Sequence, residues 1–208
     1  TGAEGDGGVG RWSEFFEQQN EGGKRLASIC HTRPSGAFFG LAQLSPFTRN
    51  SKAWKDLMAL PSIEDRVNAL RNETTRAKLI AEGIEAGDMK NLAHLLHPFG
   101  IDSKPNLDFA RQQSLLQLAE AEGKDPVEVY VERLLASEGR EFFNFWMFGG
   151  NLDNQWKYMQ LPHVVPMLGD AGAHVGFFTD TDSPTVLLSE LTREQGVYSL
   201  PEAVHRIT

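Results

Sequence analysis

The residues best suited to chemistry lie in the run Gly-Asp-Ala-Gly-Ala-His at 169–174, directly after the apolar stretch 164–168. In α/β proteins, active sites lie at the carboxyl ends of strands. A carboxylate at that place, here Asp170, can bind a metal ion or accept a proton from a metal-bound water. His174 could donate a hydrogen bond to a substrate or orient Asp170. Both are candidate catalytic residues, although a turn-forming Asp bonded to nearby backbone groups fits the same run.

A second group of polar residues follows a predicted strand at 25–30. His31 and Arg33 are candidate substrate-binding residues, because Arg33 can pair with a substrate carboxylate through two parallel hydrogen bonds. The alternative is that Arg33 bonds backbone carbonyl groups of its own loop. Cys30 stands beside His31, but neighbours along a strand point to opposite faces. A nucleophilic Cys–His pair is therefore excluded, and a buried, inert Cys30 is expected.

Other polar residues have simpler structural interpretations. His94 and His97 are three residues apart at a predicted helix end, a spacing that can chelate a metal ion, but no third ligand accompanies them in the sequence. Helix capping is the favoured interpretation of this pair. Asp182 or Ser183 is predicted to cap the helix that follows, and Asp180 is predicted to be solvated.

Hydrophobic periodicity predicts the elements that position these residues. Helical patterns cover 51–96 and 108–139, with Ser51, Asp125 and Ser199 as N-caps of helices in the chain. Strands are predicted from the apolar or aromatic character of three stretches. They are 25–30, 142–147 and 164–168.

The predicted fold class is α/β. The last strand is apolar on both faces, which suits a parallel sheet covered on both sides, and three strands cannot close a sheet. We therefore expect the last strands and helices of a partial (β/α)8 barrel of the TIM type. All of 1–208 would belong to the C-terminal part of that barrel domain, with a large helical insertion at about 45–140.

Composition narrows the function classes. The chain has 208 residues, a net charge of −8 and a single cysteine. An acidic chain without a cluster of Lys and Arg argues against binding to nucleic acid. No apolar run approaches the roughly 20 residues that span a bilayer, and no signal-peptide pattern is present, so no membrane partner and a cytoplasmic location are expected. A homo-oligomer remains open.

The residues after Leu168 resemble a known enzyme family. The pieces Gly-Asp-Ala-Gly-Ala-His-Val-Gly, Asp-Ser-Pro-Thr-Val-Leu-Leu, Thr-Arg-Glu and Leu-Pro-Glu-Ala-Val-His-Arg-Ile-Thr occur in order. They resemble the C-terminal part of the N-acyl-D-amino-acid deacylase (D-aminoacylase-like) branch of the amidohydrolase superfamily. The segments Arg-Pro-Ser-Gly at 33–36, Leu-Pro at 60–61 and Arg-Ala-Lys-Leu at 76–79 look like that branch too.

The resemblance implies a metal-dependent (β/α)8 barrel that hydrolyses the amide bond of N-acyl amino acids or similar small substrates. One or two zinc ions would be the cofactor in the parent enzyme. Asp170 matches the last-strand Asp that binds the metal ion and takes the proton from the attacking water. His174 matches a recurring His of the same loop. Zinc-bound hydroxide would then attack the amide carbonyl, and Asp170 would return the proton to the leaving amine.

The chain also departs from the family pattern. The family's metal site needs a His-x-His pair on the first strand, a bridging side chain on a middle strand and two further His residues; the 208 residues contain no His-x-His. A catalytic zinc site normally takes at least three protein ligands. We therefore expect part of a metal-dependent amidohydrolase that is inactive alone and does not retain zinc alone.

Two alternatives belong to other classes. One is a catalytically dead, mostly helical partner-binding protein that has lost the metal-binding strands. The other is a metal-free hydrolase that uses Asp170 and His174 with a Ser or Thr, which is disfavoured because the sequence lacks a Gly-x-Ser-x-Gly elbow. The metal content of the parent protein separates the first alternative from the enzyme.

Overall fold

The structure is a computed structural model that describes residues 9–100, 106, 111–148, 151–166 and 182–208. The described residues divide into two compact units. The central unit is Gly36–Met147, and the discontinuous unit consists of the described residues before and after it. The described helices are α1 (Val9–Glu21), α2 (Lys52–Met58), α3 (Ile63–Arg71), α4 (Glu73–Ala86), α5 (Met89–Leu92), α6 (Leu115–Glu122), α7 (Pro126–Ala136), α8 (Leu152–Met159), α9 (Ser183–Val186) with a π-helical continuation Leu187–Glu194, and α10 (Leu200–Ile207). The described strands are β1 (Ser28–Cys30), β2 (Ser35–Phe39), β3 (Leu96–Gly100), β4 (Phe142–Phe148) and β5 (Val164–Pro166).

The discontinuous unit is organised around a parallel strand pair. β1 and β5 pair in parallel, with Ser28 opposite Val164 and Cys30 opposite Pro166. A core beside them is formed by residues of α8, of the π-helical continuation and of α10, and by Tyr198 between the last two. Its buried members are Met159, Leu187, Leu191, Tyr198 and Ala203. The pairing confirms the predicted parallel arrangement and brings the carboxyl ends of both strands to one edge.

The central unit combines a three-stranded sheet with helices α2 to α7. The strand order is β2-β4-β3, and β3 runs antiparallel to β4. Buried apolar side chains of the helices and of the turn before α2 pack against one another and against Phe143 of the sheet, with Trp54, Tyr130 and Phe47 among the largest. Rings of Tyr130 and Phe143 lie 4.5 Å apart between centroids, which joins the helical layer to the sheet.

Local signals predicted the helix starts well. Ser51 accepts a hydrogen bond from the Trp54 backbone nitrogen at 3.2 Å, and Asp125 forms a capping box with Glu128. Ser199 accepts from the Glu202 backbone nitrogen at 3.4 Å. The mixed α/β class is also confirmed, and the described strands form two open sheets.

The structure differs from the sequence predictions at two strands. β2, which begins at Ser35 and lies beside β4 in the sheet, is not among the predicted strands. His97 was predicted at a helix end, but it lies in β3 opposite Asn144. The residue before a proline is disfavoured in helical conformation, and Pro98 follows His97, so extended backbone results here.

The first strand is shorter than predicted. Leu26 and Ala27 carry apolar side chains, yet the backbone N–H and carbonyl of Leu26 are both bonded by the Asn20 side chain at 2.7 and 3.1 Å. Since these groups are satisfied locally, they make no ladder bonds, and β1 starts at Ser28.

Among the described helices, none is long and apolar enough to cross a membrane.

Candidate active site

The carboxyl edge of the β1–β5 pair carries two of the candidate residues from the sequence, His31 and Arg33. Cys30 and Pro166 end their strands opposite each other. His31 and Arg33 directly follow β1, and Asp170 follows Pro166 by four positions in the sequence. Asp170 and His174 lie outside the described residues, so their assignments as catalytic and metal-binding groups stay predictions.

Arg33 is buried and bonded to a carboxylate. Its side chain is 3% exposed, and its Nε and Nη2 atoms lie 2.9 and 2.8 Å from Oδ1 of Asp182. Its Nη1 atom donates to the Pro34 carbonyl at 2.8 Å. A buried guanidinium requires a compensating charge, and Asp182 supplies it. The structure thus realises the predicted bond to a loop carbonyl, and it adds an ion pair that the sequence did not reveal.

Residues beside Arg33 join the same two segments. Thr32 Oγ1 donates to the Ser183 carbonyl at 3.1 Å and lies 3.0 Å from Ser183 Oγ. Asp182 occupies the N-cap position of α9, as predicted, but its side chain makes no capping bond. The capping bond is absent because the Asp182 carboxylate is directed to Arg33 instead.

His31 and Arg33 also have their backbone carbonyls bound by one side chain. Gln155 of α8 donates through Nε2 to the His31 carbonyl at 2.5 Å and to the Arg33 carbonyl at 3.2 Å. Gln155 is buried, and its Oε1 atom has no hydrogen-bond partner in the described structure. Neither Thr32 nor Gln155 was singled out from the sequence, since each forms its bond with a residue more than 120 positions away.

The environment of Cys30 disfavours the reactive thiolate form of its side chain. Burial raises the pKa of the Cys30 thiol to about 12, so almost none of it is the reactive thiolate at neutral pH. Its Sγ atom lies 3.4 Å from the His31 carbonyl. On the same strand, Ser28 Oγ lies 2.7 Å from Tyr158 Oη of α8. These contacts agree with the expectation of an inert cysteine.

Two other histidines, His97 and His163, stack on aromatic rings. The ring of His97 stacks on Trp146 with 3.6 Å between centroids, and burial lowers its pKa to about 4. His163 stacks on Phe16 at 4.8 Å. Within the described ranges, no three His, Cys, Asp or Glu residues are grouped so that they could hold a metal ion. The described residues therefore offer no ligand set for the zinc that the resemblance implies.

Comparisons with known proteins add no identification. No protein-family model, no curated protein and no solved structure matches this chain. The function must therefore be argued from the residues and their geometry.

Proposed function

We propose that this chain is part of a metal-dependent amidohydrolase that cleaves the amide bond of N-acyl amino acids or similar small substrates. The single observation that carries the proposal is the parallel pairing of β1 with β5, because Asp170 follows β5 closely in the sequence. A carboxylate after the last strand of a parallel pair stands where α/β enzymes place their catalytic groups.

The proposal also specifies the fold to which the two parallel strands belong. β1 and β5 would be the last two strands of a (β/α)8 barrel, which are adjacent and parallel in such a barrel. The central unit would then be an inserted segment between them. Its two ends support this, because a Cβ atom added to Gly36 would lie 2.9 Å from the backbone nitrogen of Met147. An insertion needs neighbouring ends so that the host fold can close.

In this proposal Asp170 is the proton-transfer group. It accepts a proton from the attacking water and returns it to the amine that leaves. Zinc, when bound, would supply Lewis-acid activation of the amide carbonyl. Since the described residues provide no ligand set, we derive no step through the metal ion and propose that its other ligands come from outside the part of the chain that the structure describes.

The experiment compares two Asp-to-Asn variants of the full-length gene product. Release of free amine from N-acetylated amino acids of both configurations would be measured together with bound zinc. We expect stoichiometric zinc, and we expect Asp170→Asn to lower kcat by about 10²- to 10⁴-fold, the usual contribution of general acid–base catalysis. Asp153→Asn, at an exposed position of α8, is the matched control and should retain wild-type kcat.

Three outcomes would contradict the proposal. A folded full-length product without metal and without hydrolase activity would favour a partner-binding protein. Wild-type kcat in Asp170→Asn would remove Asp170 from the chemistry. Metal-dependent deacylase activity of residues 1–208 alone would refute the expectation that further ligands are required.

A further inference from the structure

A pocket of the central unit lies between the end of β3, the residues before α6, and the helices α6 and α7. Its volume is about 260 Å³, and two arginines, Arg111 and Arg133, are among its described lining residues. The amide residues Asn106, Gln112 and Gln113 line it as well. We propose that this pocket binds a small molecule that carries a carboxylate or phosphate group. The proposal is independent of the proposed hydrolase function.

The charge of the pocket lining is opposite to that of the chain. The chain carries a net charge of −8, yet none of the described lining residues is Asp or Glu. Guanidinium and amide N–H groups donate hydrogen bonds to oxygen acceptors, and guanidinium groups pair especially well with carboxylate and phosphate. The described lining therefore favours an oxyanion over a neutral or cationic ligand.

Arg133 is held at the pocket by a buried carboxylate. Its Nη2 atom lies 3.1 Å from Oε2 of Glu141, whose side chain is 1% exposed. The other oxygen of Glu141 accepts a hydrogen bond from the Gly100 backbone nitrogen at 3.1 Å, which ties the pair to the end of β3. Arg133 itself keeps 36% of its side chain exposed, so a ligand can reach the guanidinium from the solvent side. The cation is thus fixed in position before a ligand arrives.

Two buried atoms of the lining residues lack partners. Nε of Arg133 and Oε1 of Gln112 are buried and have no hydrogen-bond partner within the described structure. Gln112 is held through its Nε2 atom, which donates to the Asn106 carbonyl. A buried polar group without a partner is destabilising. A ligand oxygen would accept from Arg133 Nε, and a ligand hydroxyl would donate to Gln112 Oε1.

The size of the pocket limits the ligand to few heavy atoms. Its volume of about 260 Å³ lies below the roughly 300–1,000 Å³ of pockets for drug-sized ligands. Inorganic phosphate and malate are small, and each combines oxyanion oxygens with a hydroxyl group. Both are therefore suitable probes, and malamide is the neutral counterpart of malate.

Calorimetric titration of the full-length gene product with these three compounds tests the proposal. We expect saturable binding of at least one of the two anions with a Kd of about 1 mM or below, and binding of malamide at least about 10-fold weaker. Tighter binding of phosphate would indicate a phosphate-bearing ligand, and tighter binding of malate a carboxylate. Absence of saturable binding by both anions would overturn the proposal, as would equal affinities for malate and malamide.

Variants of the pocket locate the binding. Arg111→Met changes an exposed side chain, so the fold should be retained. Arg133→Met is combined with Glu141→Gln, because a buried carboxylate without its counter-charge destabilises a fold strongly. We expect each pocket variant to weaken anion binding at least about 10-fold.

Arg71→Met with Glu138→Gln is the matched control, since these residues form an exposed pair in the same unit, with 54% and 69% of their side chains exposed. This control should bind the anion with wild-type affinity. Wild-type affinity in either pocket variant would overturn the proposal, and so would equal weakening in the control.

Urea unfolding gives a second readout. A ligand that binds only the folded state stabilises it, so the bound anion at about ten times its Kd should raise the unfolding midpoint of the wild-type protein and of the control. Arg111→Met should show a smaller rise at the same anion concentration, and an equal rise would contradict the site. Neither readout uses hydrolase activity, so failure of the proposed function and failure of this proposal are distinguishable.

Discussion

At the scale of single residues, burial decides chemistry more than residue type does. His97 looked like half of a metal-chelating pair with His94, yet its ring lies against Trp146 and only 5% of it is exposed. Burial lowers the pKa of His97 to about 4, with a smaller contribution from the charge of His94. A histidine held neutral in this way is part of the core of the central unit and is a pH-sensitive element of its stability.

His97 should make the protein less stable in mild acid. In the unfolded chain its pKa is near 6.5, so between about pH 6.5 and pH 4 the unfolded state binds the extra proton. Its contribution is therefore present above pH 6.5 and is lost as the pH falls through this window. Lowering the pH from 7 to 5 should reduce the free energy of unfolding by about 2 kcal/mol through this residue.

Urea unfolding of matched variants measures that contribution. His97→Phe can keep the stacking on Trp146 but cannot titrate. Between pH 7 and pH 5, its free energy of unfolding should therefore fall by about 2 kcal/mol less than that of the wild-type protein. His205→Gln, on the exposed face of α10, should show the same pH dependence of the free energy of unfolding as the wild-type protein. The same pH dependence in His97→Phe and the wild-type protein would show that His97 does not carry the effect.

At the scale of elements, the predicted helix starts followed local rules, whereas the strands β2 and β3 did not. The N-caps Ser51, Asp125 and Ser199 satisfy backbone groups two or three residues ahead, so each signal lies within one turn of the chain. β2 was missed because its partner β4 is far away in sequence. The pairing is possible because Gly36 has no side chain. No local pattern in the sequence shows that this position must lack one.

Gly36→Ala should break the contact between β2 and β4. A Cβ atom at this position would lie 1.8 Å from the Phe145 carbonyl oxygen, which is backbone and cannot move aside without the strand. We expect a loss of at least about 3 kcal/mol in the free energy of unfolding, at the upper end for overpacked sites.

Gly22→Ala is the matched control for this substitution. Its added Cβ atom would meet only ordinary contacts at 3.4 Å, so its unfolding midpoint in urea should stay close to that of the wild-type protein. Equal unfolding midpoints of Gly36→Ala and Gly22→Ala would contradict the close approach of β2 and β4 at Gly36.

At the scale of the whole molecule, the central unit is one continuous segment of the chain, whereas the discontinuous unit is made of two segments. The core of the central unit, from Leu41 to Phe143, is built entirely from one continuous segment. The strand pair of the discontinuous unit joins residues from both sides of that segment. A continuous segment with its own core and neighbouring ends meets the usual conditions for independent folding.

Residues 36–147 produced alone should therefore fold. We expect a helical circular-dichroism spectrum and a single cooperative urea transition. Leu134→Ala, at a fully buried position, should lower the free energy of unfolding by about 2–5 kcal/mol. Ile84→Ala, at a position that is 42% exposed, should change it much less. A gradual transition, or equal effects of the two substitutions, would contradict independent folding.

The sequence by itself determined the mixed α/β class, the helix starts at Ser51, Asp125 and Ser199, and the positions of β4 and β5. These features depend on composition or on contacts within a few residues, which local patterns encode. It also indicated Asp170 and His174 as candidate catalytic residues, and that assignment stays a prediction. Only the tertiary structure decided that Arg33 pairs with Asp182, 149 positions away, and that His97 is a core residue. The physical reason is that burial and charge pairing depend on which distant segments meet, and a local pattern specifies what a side chain can bind but not what it will contact.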